Sequence, residues 1–205
     1  MVLSSMSLIL MAFQCEDDPC SVATFSGYKI AVENNNASYT LNDTFYLTAT
    51  TPLQLTDYCN NEQTGVFINE PERFFDGFFF IKLKEPTDQP LPYNGDIARN
   101  NFDLVIEKGD AYDRGFCETN ELFELLPILN SDQSLFEYRL AVTPRVPGDY
   151  AITIAYYGTF SEITDTHLNI LDPYSDSATL RFTGCSDSTH ERSLGDETYY
   201  FSVTE

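Results

Sequence analysis

The sequence predicts an all-β fold, an antiparallel β-sandwich of about seven to nine strands with one or two short helical turns. Apolar and polar residues alternate with a period of two along much of the 205-residue chain. The chain contains 16 Phe and 13 Tyr, and aromatic and β-branched residues favour strands. Gly, Pro and Asn separate the alternating segments, as expected for turns between strands.

The first two predicted strands lie on either side of an Asn-rich turn. In Tyr28–Val32 every second residue is aromatic or β-branched, so the segment presents one apolar face. Asn34–Asn36 supplies turn residues, and Phe45–Thr50 repeats the alternation. Pro52 is expected to end this strand, because proline has no backbone N–H to donate to a neighbouring strand.

The middle of the chain is expected to supply the central strand. Phe74–Leu83 reads FFDGFFFIKL and is apolar on both faces, which is typical of a strand covered on both sides. Phe102–Ile106 and Phe136–Val142 are the next segments with strand-like alternation. Helical periodicity is confined to Thr119–Leu126 and Ser161–Leu171, where short helical turns are predicted.

The last third of the chain continues the pattern after a clear turn. VPGD at Val146–Asp149 leads into the alternating segment Tyr150–Tyr156. The two final strands are Ala178–Thr183 and Thr198–Val203. This order of strands favours two packed sheets in a single domain that spans residues 24–205.

The stretch PGDYAITIAYYG, which starts at Pro147, resembles the penultimate strand of immunoglobulin-like and related bacterial surface domains. In those domains a Gly-containing turn precedes a tyrosine, so the resemblance places Tyr150 at the corner position of the fold. The antibody pattern Cys-Trp-Cys is absent, because the chain has no Trp and Ile152 stands two residues after Tyr150. The resemblance implies an immunoglobulin-like β-sandwich and no particular function.

The N-terminus has the pattern of an export signal. Residues 1–14 contain the apolar run LILMAF and no charge, and Cys15-Glu16-Asp17-Asp18 follows at once. The run is too short to span a bilayer, which takes about 20 apolar residues, but it has the length of the central region of a secretory signal. The alternative is a buried first strand or a frayed apolar end.

This stretch resembles the start of bacterial lipoproteins, and the acids after the cysteine resemble the surface-export signal of Bacteroidetes-type lipoproteins. In that family the signal is cut before a cysteine that then carries acyl chains, so the resemblance implies lipidation of Cys15. Gln14 stands where the family usually has Gly, Ala or Ser. The implied organisation is a signal peptide at 1–14, a lipidated acidic tether at 15–23 and the sandwich at 24–205. The implied location is the outer membrane or cell surface, with the periplasm as the alternative.

The composition is strongly acidic, with 32 Asp+Glu, 11 Lys+Arg and a formal net charge of −21. Phosphate backbones and anionic lipid headgroups attract basic surfaces, so nucleic acid and electrostatic attachment to a membrane are disfavoured. The expected membrane contact is the lipid anchor. Solubility is the simplest role for the charge, and cation binding is the alternative.

The five cysteines predict disulfides rather than a zinc site. They lack the paired Cys and His spacing that zinc ligands show. With Cys15 lipidated, Cys20, Cys59, Cys117 and Cys185 remain to form two disulfides in an oxidising compartment, in one of three pairings. The sequence does not distinguish among these pairings.

Catalytic and metal motifs are poorly supported. His167 and His190 lie in polar segments that are typical of loops, without a catalytic signature, and are interpreted as solvated structural residues. Oxygen ligands for Ca²⁺ occur at Asp110–Asp113, Asp172–Asp176 and Asn34–Asn36, but the EF-hand spacing is absent and Asx residues also form turns. No cofactor is therefore predicted, with Ca²⁺ as a weak alternative, and the protein is expected not to be an enzyme.

Aromatic rings are the remaining candidates for a binding surface. Phe74–Phe80 and the Tyr-Tyr pairs at 156–157 and 199–200 would form a glycan platform if exposed, although packing within the sheets explains them more simply. The leading prediction is a non-catalytic interaction or structural module of the cell envelope that contacts another envelope protein. The alternative is a glycan-binding surface lipoprotein of a polysaccharide-uptake system.

Overall fold

The computed structural model of the chain is almost entirely β-structure, as the sequence predicts. The residues that it describes are 29–52, 54–57, 62–65, 75–84, 93–113, 121–132, 135–155, 162–163, 179–185, 187–193 and 198–205. The predicted signal peptide and acidic tether lie outside these ranges.

The strands within the described ranges are numbered here in chain order. They are β1 (Lys29–Glu33), β2 (Ser38–Thr40), β3 (Phe45–Pro52), β4 (Gln54–Asp57), β5 (Glu62–Gly65), β6 (Asp76–Leu83), β7 (Tyr93–Ile97), β8 (Phe102–Lys108), β9 (Asp110–Tyr112), β10 (Leu122–Leu126), β11 (Ile128–Leu129), β12 (Leu135–Pro144), β13 (Gly148–Ile154), β14 (Glu162–Ile163), β15 (Thr179–Gly184), β16 (Ser188–Ser193) and β17 (Thr198–Thr204). The one helical element in these ranges is a 3-10 turn at Arg99–Asn101.

Two sheets contain most of these strands. The first sheet has the order β11-β12-β3-β1-β14, and β8 shares one edge of β12 with β11. The second sheet has the order β16-β15-β7-β6-β13-β17-β2, with β10 and then β9 beside β6. β4 and β5 form a separate antiparallel pair. Most pairs are antiparallel, as predicted, but β1–β14, β7–β15 and β2–β17 are parallel.

The main core lies between the two sheets, because each contributes an apolar face. On β3 the buried side chains Phe45, Leu47 and Ala49 alternate with more exposed neighbours. They belong to one cluster with Phe80 of β6 and Phe201 of β17. Burial of a large apolar side chain contributes roughly 1.5–3 kcal/mol. The alternation therefore determines which face of each strand points inward.

A second apolar cluster lies on the opposite face of the second sheet. It includes Phe79 and Ile81 of β6, Phe182 of β15 and Tyr200 of β17. β6 pairs with β13 along one edge and with β7 and β10 along the other. The prediction that this doubly apolar segment forms a central strand is confirmed.

Tyr150 holds the turn before β13 against the body of the fold. Its hydroxyl donates to the carbonyl oxygen of Val146 at 2.9 Å and accepts from Nδ2 of Asn101 at 3.1 Å. Its buried ring stacks on that of Phe201, with the centroids 5.7 Å apart. A tyrosine hydroxyl bonded to the backbone a few residues upstream defines a tyrosine corner. Tyr150 therefore has this local geometry, while the resemblance to immunoglobulin-like domains stays a prediction.

The predicted helical turn at Thr119–Leu126 is wrong over the part that the structure describes. Leu122–Leu126 forms β10 instead. Leu122 packs into the second cluster while Phe123 and Leu125 pack into the main core. A short continuous apolar run is compatible with either a helix or a strand covered on both faces, so periodicity could not separate the two.

Two further predictions need correction. The described residues contain more strands than predicted, because several strands have only two to four residues and strands this short show no clear alternation. Within Ser161–Leu171, the second predicted helical segment, Glu162–Ile163 forms β14. The remainder of that segment lies outside the described residues.

Candidate binding pocket

A small pocket lies near the point on β6 where its pairing with β7 ends and its pairing with β10 begins. The C-terminal part of β6 pairs with β7, and its N-terminal part pairs with β10. Between these two pairings the N–H of Ala98 donates to the carbonyl oxygen of Phe80 at 2.8 Å. Arg99 then begins the 3-10 turn. This arrangement places Arg99 beside the start of β10.

The guanidinium of Arg99 lies over the ring of Phe123, with Cζ 4.9 Å from the ring centroid. The negative face of an aromatic ring attracts a cation, so this contact positions Arg99 without using its N–H donors. Among the described residues, the guanidinium has no hydrogen-bond or ion-pair partner. Partial burial lowers the pKa of Arg99 from its ordinary value, because the charged form loses hydration.

The pocket has a volume of about 160 Å³. The described residues that line it are Arg99, Ala111, Tyr112, Asp113, Leu122, Phe123 and Glu124. Within the described ranges, β9 pairs with the second half of β10, where Tyr112 lies opposite Glu124. Phe123 and Leu125 face the main core, so Arg99 and Phe123 share one face of β10 while Glu124 and its pairing partner Tyr112 lie on the other face.

Tyr112 is a partly exposed residue on β9. Its ring contacts that of Phe75, with the centroids 5.5 Å apart and the planes inclined by 47°. Gly109 makes the turn from β8 into β9 with a φ of +101°, in the region that favours glycine. Gly109 therefore determines how the chain passes from β8 into β9.

A larger cavity, of about 340 Å³, lies beside β7. Its cations already have partners, since Nζ of Lys82 donates to the carbonyl oxygen of Pro147 at 2.8 Å and Lys84 pairs with Asp96 at 2.8 Å. A ligand in this cavity would compete with these contacts. The Arg99 pocket is therefore the better candidate for a binding site.

Most of the described aromatic residues that were predicted for a glycan platform lie in the core. The buried ones are Phe78, Phe79, Phe80, Tyr199 and Tyr200. Phe75, from the same Phe-rich segment, is half-buried and contacts Tyr112. Phe74, Tyr156 and Tyr157 lie outside the described residues. The buried rings pack in the protein interior, so an aromatic platform would have to be built from other residues.

The interpretation of His190 as a solvated loop residue is wrong. His190 lies on β16 opposite Phe182 of β15. Its ring lies 5.2 Å from that of Phe182 and 5.1 Å from that of Phe79. Its Nε2 is buried and has no hydrogen-bond partner among the described residues. The polar sequence of β16 concealed a strand, and His167 lies outside the described residues.

Neutral His190 should make stability depend on pH. Burial lowers the pKa of His190 below its ordinary value and nearby Arg192 lowers it further, while a hydrogen bond to Gly184 and the charge of Glu121 act in the opposite direction. The unfolded chain, whose histidines have a pKa of about 6.5, therefore binds more protons than the folded one. The stability that depends on neutral His190 is fully present above about pH 6.5 and is lost as the pH falls below that value and through the lower pKa of the folded state.

The variant His190→Leu tests this dependence, because it fills the space between the rings without a titratable group. Urea unfolding should show that the variant loses less stability than the wild type between about pH 7 and about pH 5. Both proteins contain the same titrating carboxylates, so their contributions cancel when the two losses of stability are compared. Equal losses in the two proteins would show that His190 does not control this pH range.

The calcium candidates do not come together in the described part of the chain. At Asn34–Asn36, Nδ2 of Asn34 donates to the carbonyl oxygen of Thr44 at 3.2 Å, as in a closed turn. Asp113 lines the Arg99 pocket, and Asp172–Asp176 lies outside the described residues. Within the described ranges, no group of three or more His, Cys, Asp or Glu residues is placed to hold a metal ion.

Of the five cysteines, the structure describes Cys185. Cys185 follows β15 with a φ of 51°, and its N–H donates to Oε2 of Glu121 at 2.6 Å. The other four cysteines lie outside the described residues: Cys15, Cys20, Cys59 and Cys117. Lipidation of Cys15 and the disulfides among the remaining cysteines stay predictions.

Sequence reasoning did not single out Arg99, Phe123 or Glu124. One signal was available, because Arg99 is one of only 11 basic residues in a chain with 32 acids. An isolated cation between two segments rich in apolar residues is a reasonable candidate for contact with a ligand. Its partner ring on β10 could not be found while that segment was assigned to a helical turn.

Comparison with known proteins supplies no family for this chain. No family model, no curated protein and no solved structure matches it. In the described ranges, no helix is long and apolar enough to cross a bilayer. Any function assigned to the chain therefore depends on its own sequence and geometry.

Proposed function

We propose that this protein is an exported, lipid-anchored module of the cell envelope that binds a partner and does not catalyse a reaction. The observation that carries the proposal of binding is the guanidinium of Arg99, held 4.9 Å over Phe123 with no hydrogen-bond acceptor among the described residues. A partly desolvated charge without a partner is costly in the free protein. A ligand that accepts hydrogen bonds from Arg99 would relieve this cost.

The chemistry of the pocket supports binding better than catalysis. Arg99 does not act as a base or an acid near neutral pH, because a guanidinium keeps its proton. Asp113 and Glu124 already interact with other groups, so they are less available for proton transfer. His190 is held between Phe79 and Phe182 rather than in the pocket. These groups suit hydrogen bonding to a ligand.

Glycan binding by a surface lipoprotein is the second candidate function. It is favoured by Tyr112, a half-buried residue on β9 whose ring contacts that of Phe75. Sugars stack on partly exposed rings of this kind. Binding of an envelope protein remains the leading proposal.

Binding is tested by fractionating envelope extracts into glycan, protein and lipid pools and by heating the full chain with each pool. A ligand that binds only the folded state raises the melting temperature. We expect one pool to stabilise the wild type and to leave Arg99→Ala unchanged. The matched control is Arg145→Ala, which removes an exposed arginine paired with Asp103 on the first sheet and should respond like the wild type. Absence of stabilisation by every pool would contradict the proposal.

Export and anchoring depend on the N-terminal sequence. Mass spectrometry of the membrane fraction should find a mature N-terminus at Cys15 that carries acyl chains. The variant Cys15→Ser should move the protein into the soluble fraction, because the thiol that accepts the lipid is absent. An unmodified peptide that still contains residues 1–15, recovered from the membrane fraction, would contradict the anchoring proposal.

A further inference from the structure

We infer that the hairpin of β15 and β16 is a lid that closes over the second apolar cluster at neutral pH and opens when the medium becomes mildly acidic. This inference goes beyond the proposed binding function and does not depend on the Arg99 pocket. It rests on the way the second sheet bends, on the contacts that hold the hairpin down and on the position of His190 beneath it.

The second sheet curls so that its edge hairpin lies over one of its own faces. In the order of the strands, β15 and β7 separate β16 from β6. Neighbouring strands lie about 4.8 Å apart, so a flat sheet would place β16 about 14 Å from β6. Side chains stand roughly perpendicular to a sheet, yet the ring centroids of His190 on β16 and Phe79 on β6 are 5.1 Å apart. The hairpin must therefore bend back over β6.

Polar contacts hold the hairpin down at both of its ends. Near the open end, Nη2 of Arg192 donates to the carbonyl oxygen of Ala155 at 2.8 Å, and its Nε donates to that of Ile154 at 3.4 Å. These carbonyls lie at the end of β13, which is one strand farther from β16 than β6 is. At the turn, the N–H of Cys185 donates to Oε2 of Glu121 at 2.6 Å. Arg192 is buried, and a buried charge requires such partners.

Apolar burial also favours the closed position. Leu180 and Phe182 of β15 are buried members of the second apolar cluster. The ring of Phe182 meets that of Phe79 at 5.0 Å, with the planes inclined by 61°. Lifting the hairpin would expose these rings and part of Ile81 on β6 to water. The hydrophobic effect therefore opposes opening.

Protonation of His190 acts against these contacts. Its Nε2 is buried and has no hydrogen-bond partner in the part of the chain that the structure describes. A proton on Nε2 would therefore create a buried donor without an acceptor, which is unfavourable. Arg192, two residues along the same face of β16, adds repulsion between like charges. Charging His190 therefore destabilises the closed lid.

The other groups around His190 only partly offset this effect. The charge of Glu121 and a hydrogen bond to the backbone of Gly184 favour the protonated ring, but burial and Arg192 outweigh them and lower the pKa of His190. The described side chains that β6, β13 and β15 contribute to the cluster are apolar. Tyr200 and Cys185, which also border the cluster, carry no charge in mildly acidic medium.

The lowered pKa sets the direction of the switch. In the open form His190 is hydrated and has an ordinary pKa of about 6.5, whereas its pKa in the closed form is lower. Above about pH 6.5 both forms are neutral and the lid stays closed. As the pH falls below that value and through the lower pKa of the closed form, the open form binds more protons and gains population.

Nuclear Overhauser contacts between aromatic rings of the full chain, recorded at about pH 7 and about pH 5, test the lid. At neutral pH we expect contacts from Phe79 to both Phe182 and His190. On acidification both should lose intensity, because the hairpin moves away from β6. The contact between His190 and Phe182 at 5.2 Å lies within the hairpin and should remain. The contact between Tyr39 and Phe45 at 4.7 Å in the main core is the reference for the intact fold.

Two variants separate the role of His190 from a general effect of acid. His190→Leu should keep the contact between Phe79 and Phe182 at acidic pH, because no proton can be taken up beneath the lid. His167→Leu removes the other histidine of the chain and should respond to acid like the wild type.

A second pair of variants tests the contact that holds the open end of the hairpin. Arg192→Met should weaken the contact between Phe79 and Phe182 already at neutral pH, since the two carbonyl oxygens of β13 lose their donor. Arg181→Met is the matched control, because Arg181 is an exposed arginine of the same hairpin that pairs with Glu191. It should leave the contact unchanged.

Each outcome supports or overturns the lid. Ring contacts of Phe79 that stay unchanged on acidification would overturn it. Loss of the reference contact between Tyr39 and Phe45 together with the contacts of Phe79 would show unfolding of the whole domain and would also overturn it. An equal loss in His190→Leu would show that this histidine does not control opening. An unchanged contact in Arg192→Met at neutral pH would show that the guanidinium does not hold the lid.

Discussion

Replacing Phe201 by alanine is expected to lower the free energy of unfolding by about 3–5 kcal/mol, the usual cost of removing a buried aromatic ring from a core. Phe201 is fully buried on β17, and its ring contacts five other core aromatic rings. Its ring contacts are Tyr39, Phe45, Phe102, Tyr150 and Tyr199. These residues come from both sheets, so the cavity would lie between the two layers of the sandwich.

Urea unfolding measures this change, with two variants for comparison. Phe201→Leu keeps much of the apolar volume and should lose clearly less stability than Phe201→Ala. Val105→Ala on β8 removes methyl groups from a side chain that is 58% exposed and should change stability by no more than about 0.5 kcal/mol. A loss below about 1 kcal/mol for Phe201→Ala would mean that this ring is not at the centre of the core.

Replacing Gly109 by alanine is expected to cost about 2–3 kcal/mol. The φ of Gly109 is +101°, and an added Cβ would lie 2.8 Å from the carbonyl oxygen of Leu126 and 3.0 Å from Cβ of Tyr138. The first of these atoms belongs to the backbone and the second is bonded directly to the backbone, so neither atom can move without shifting a strand. Because Gly109 connects β8 to β9, the variant should also displace β9, whose residues line the Arg99 pocket.

The matched control for this substitution is Gly184→Ala. An added Cβ at Gly184 would meet Ile97 at 3.4 Å and Phe79 at 3.7 Å, which are ordinary contacts. Its effect on urea unfolding should therefore be less than about 1 kcal/mol. Equal losses for Gly109→Ala and Gly184→Ala would show that the positive φ and the close carbonyl do not matter.

The longer strands could be predicted from the sequence, because each carries its own signal. The alternation of Phe45, Leu47 and Ala49 indicated the buried face of β3 directly, and the doubly apolar Phe74–Leu83 indicated a strand covered on both sides. Tyr150 could be placed at the corner because its partner, the carbonyl of Val146, is only four residues away. Local spacing was sufficient in each case.

The pocket could not be predicted, because its geometry depends on pairings between distant segments. Arg99 meets Phe123 only because β7 and β10 follow one another along the same edge of β6. The sequence YNGDI of β7 shows no apolar alternation, so nothing local indicated that the turn after it borders a sheet. The edge strand β16, which holds His190, was missed for the same reason. Register between strands is a property of the packed sheet rather than of either strand alone.

Mapping the bound ligand on the protein tests the proposed binding site most directly. Isotope-labelled full chain would be titrated with the envelope pool that raises the melting temperature of the wild type, and backbone amide shifts would be recorded by two-dimensional NMR. We predict that the largest shifts fall on Arg99, Tyr112, Phe123 and Glu124. Largest shifts on the outer face of the first sheet, around Tyr46 and Arg139, would contradict the assignment of the binding site to the Arg99 pocket.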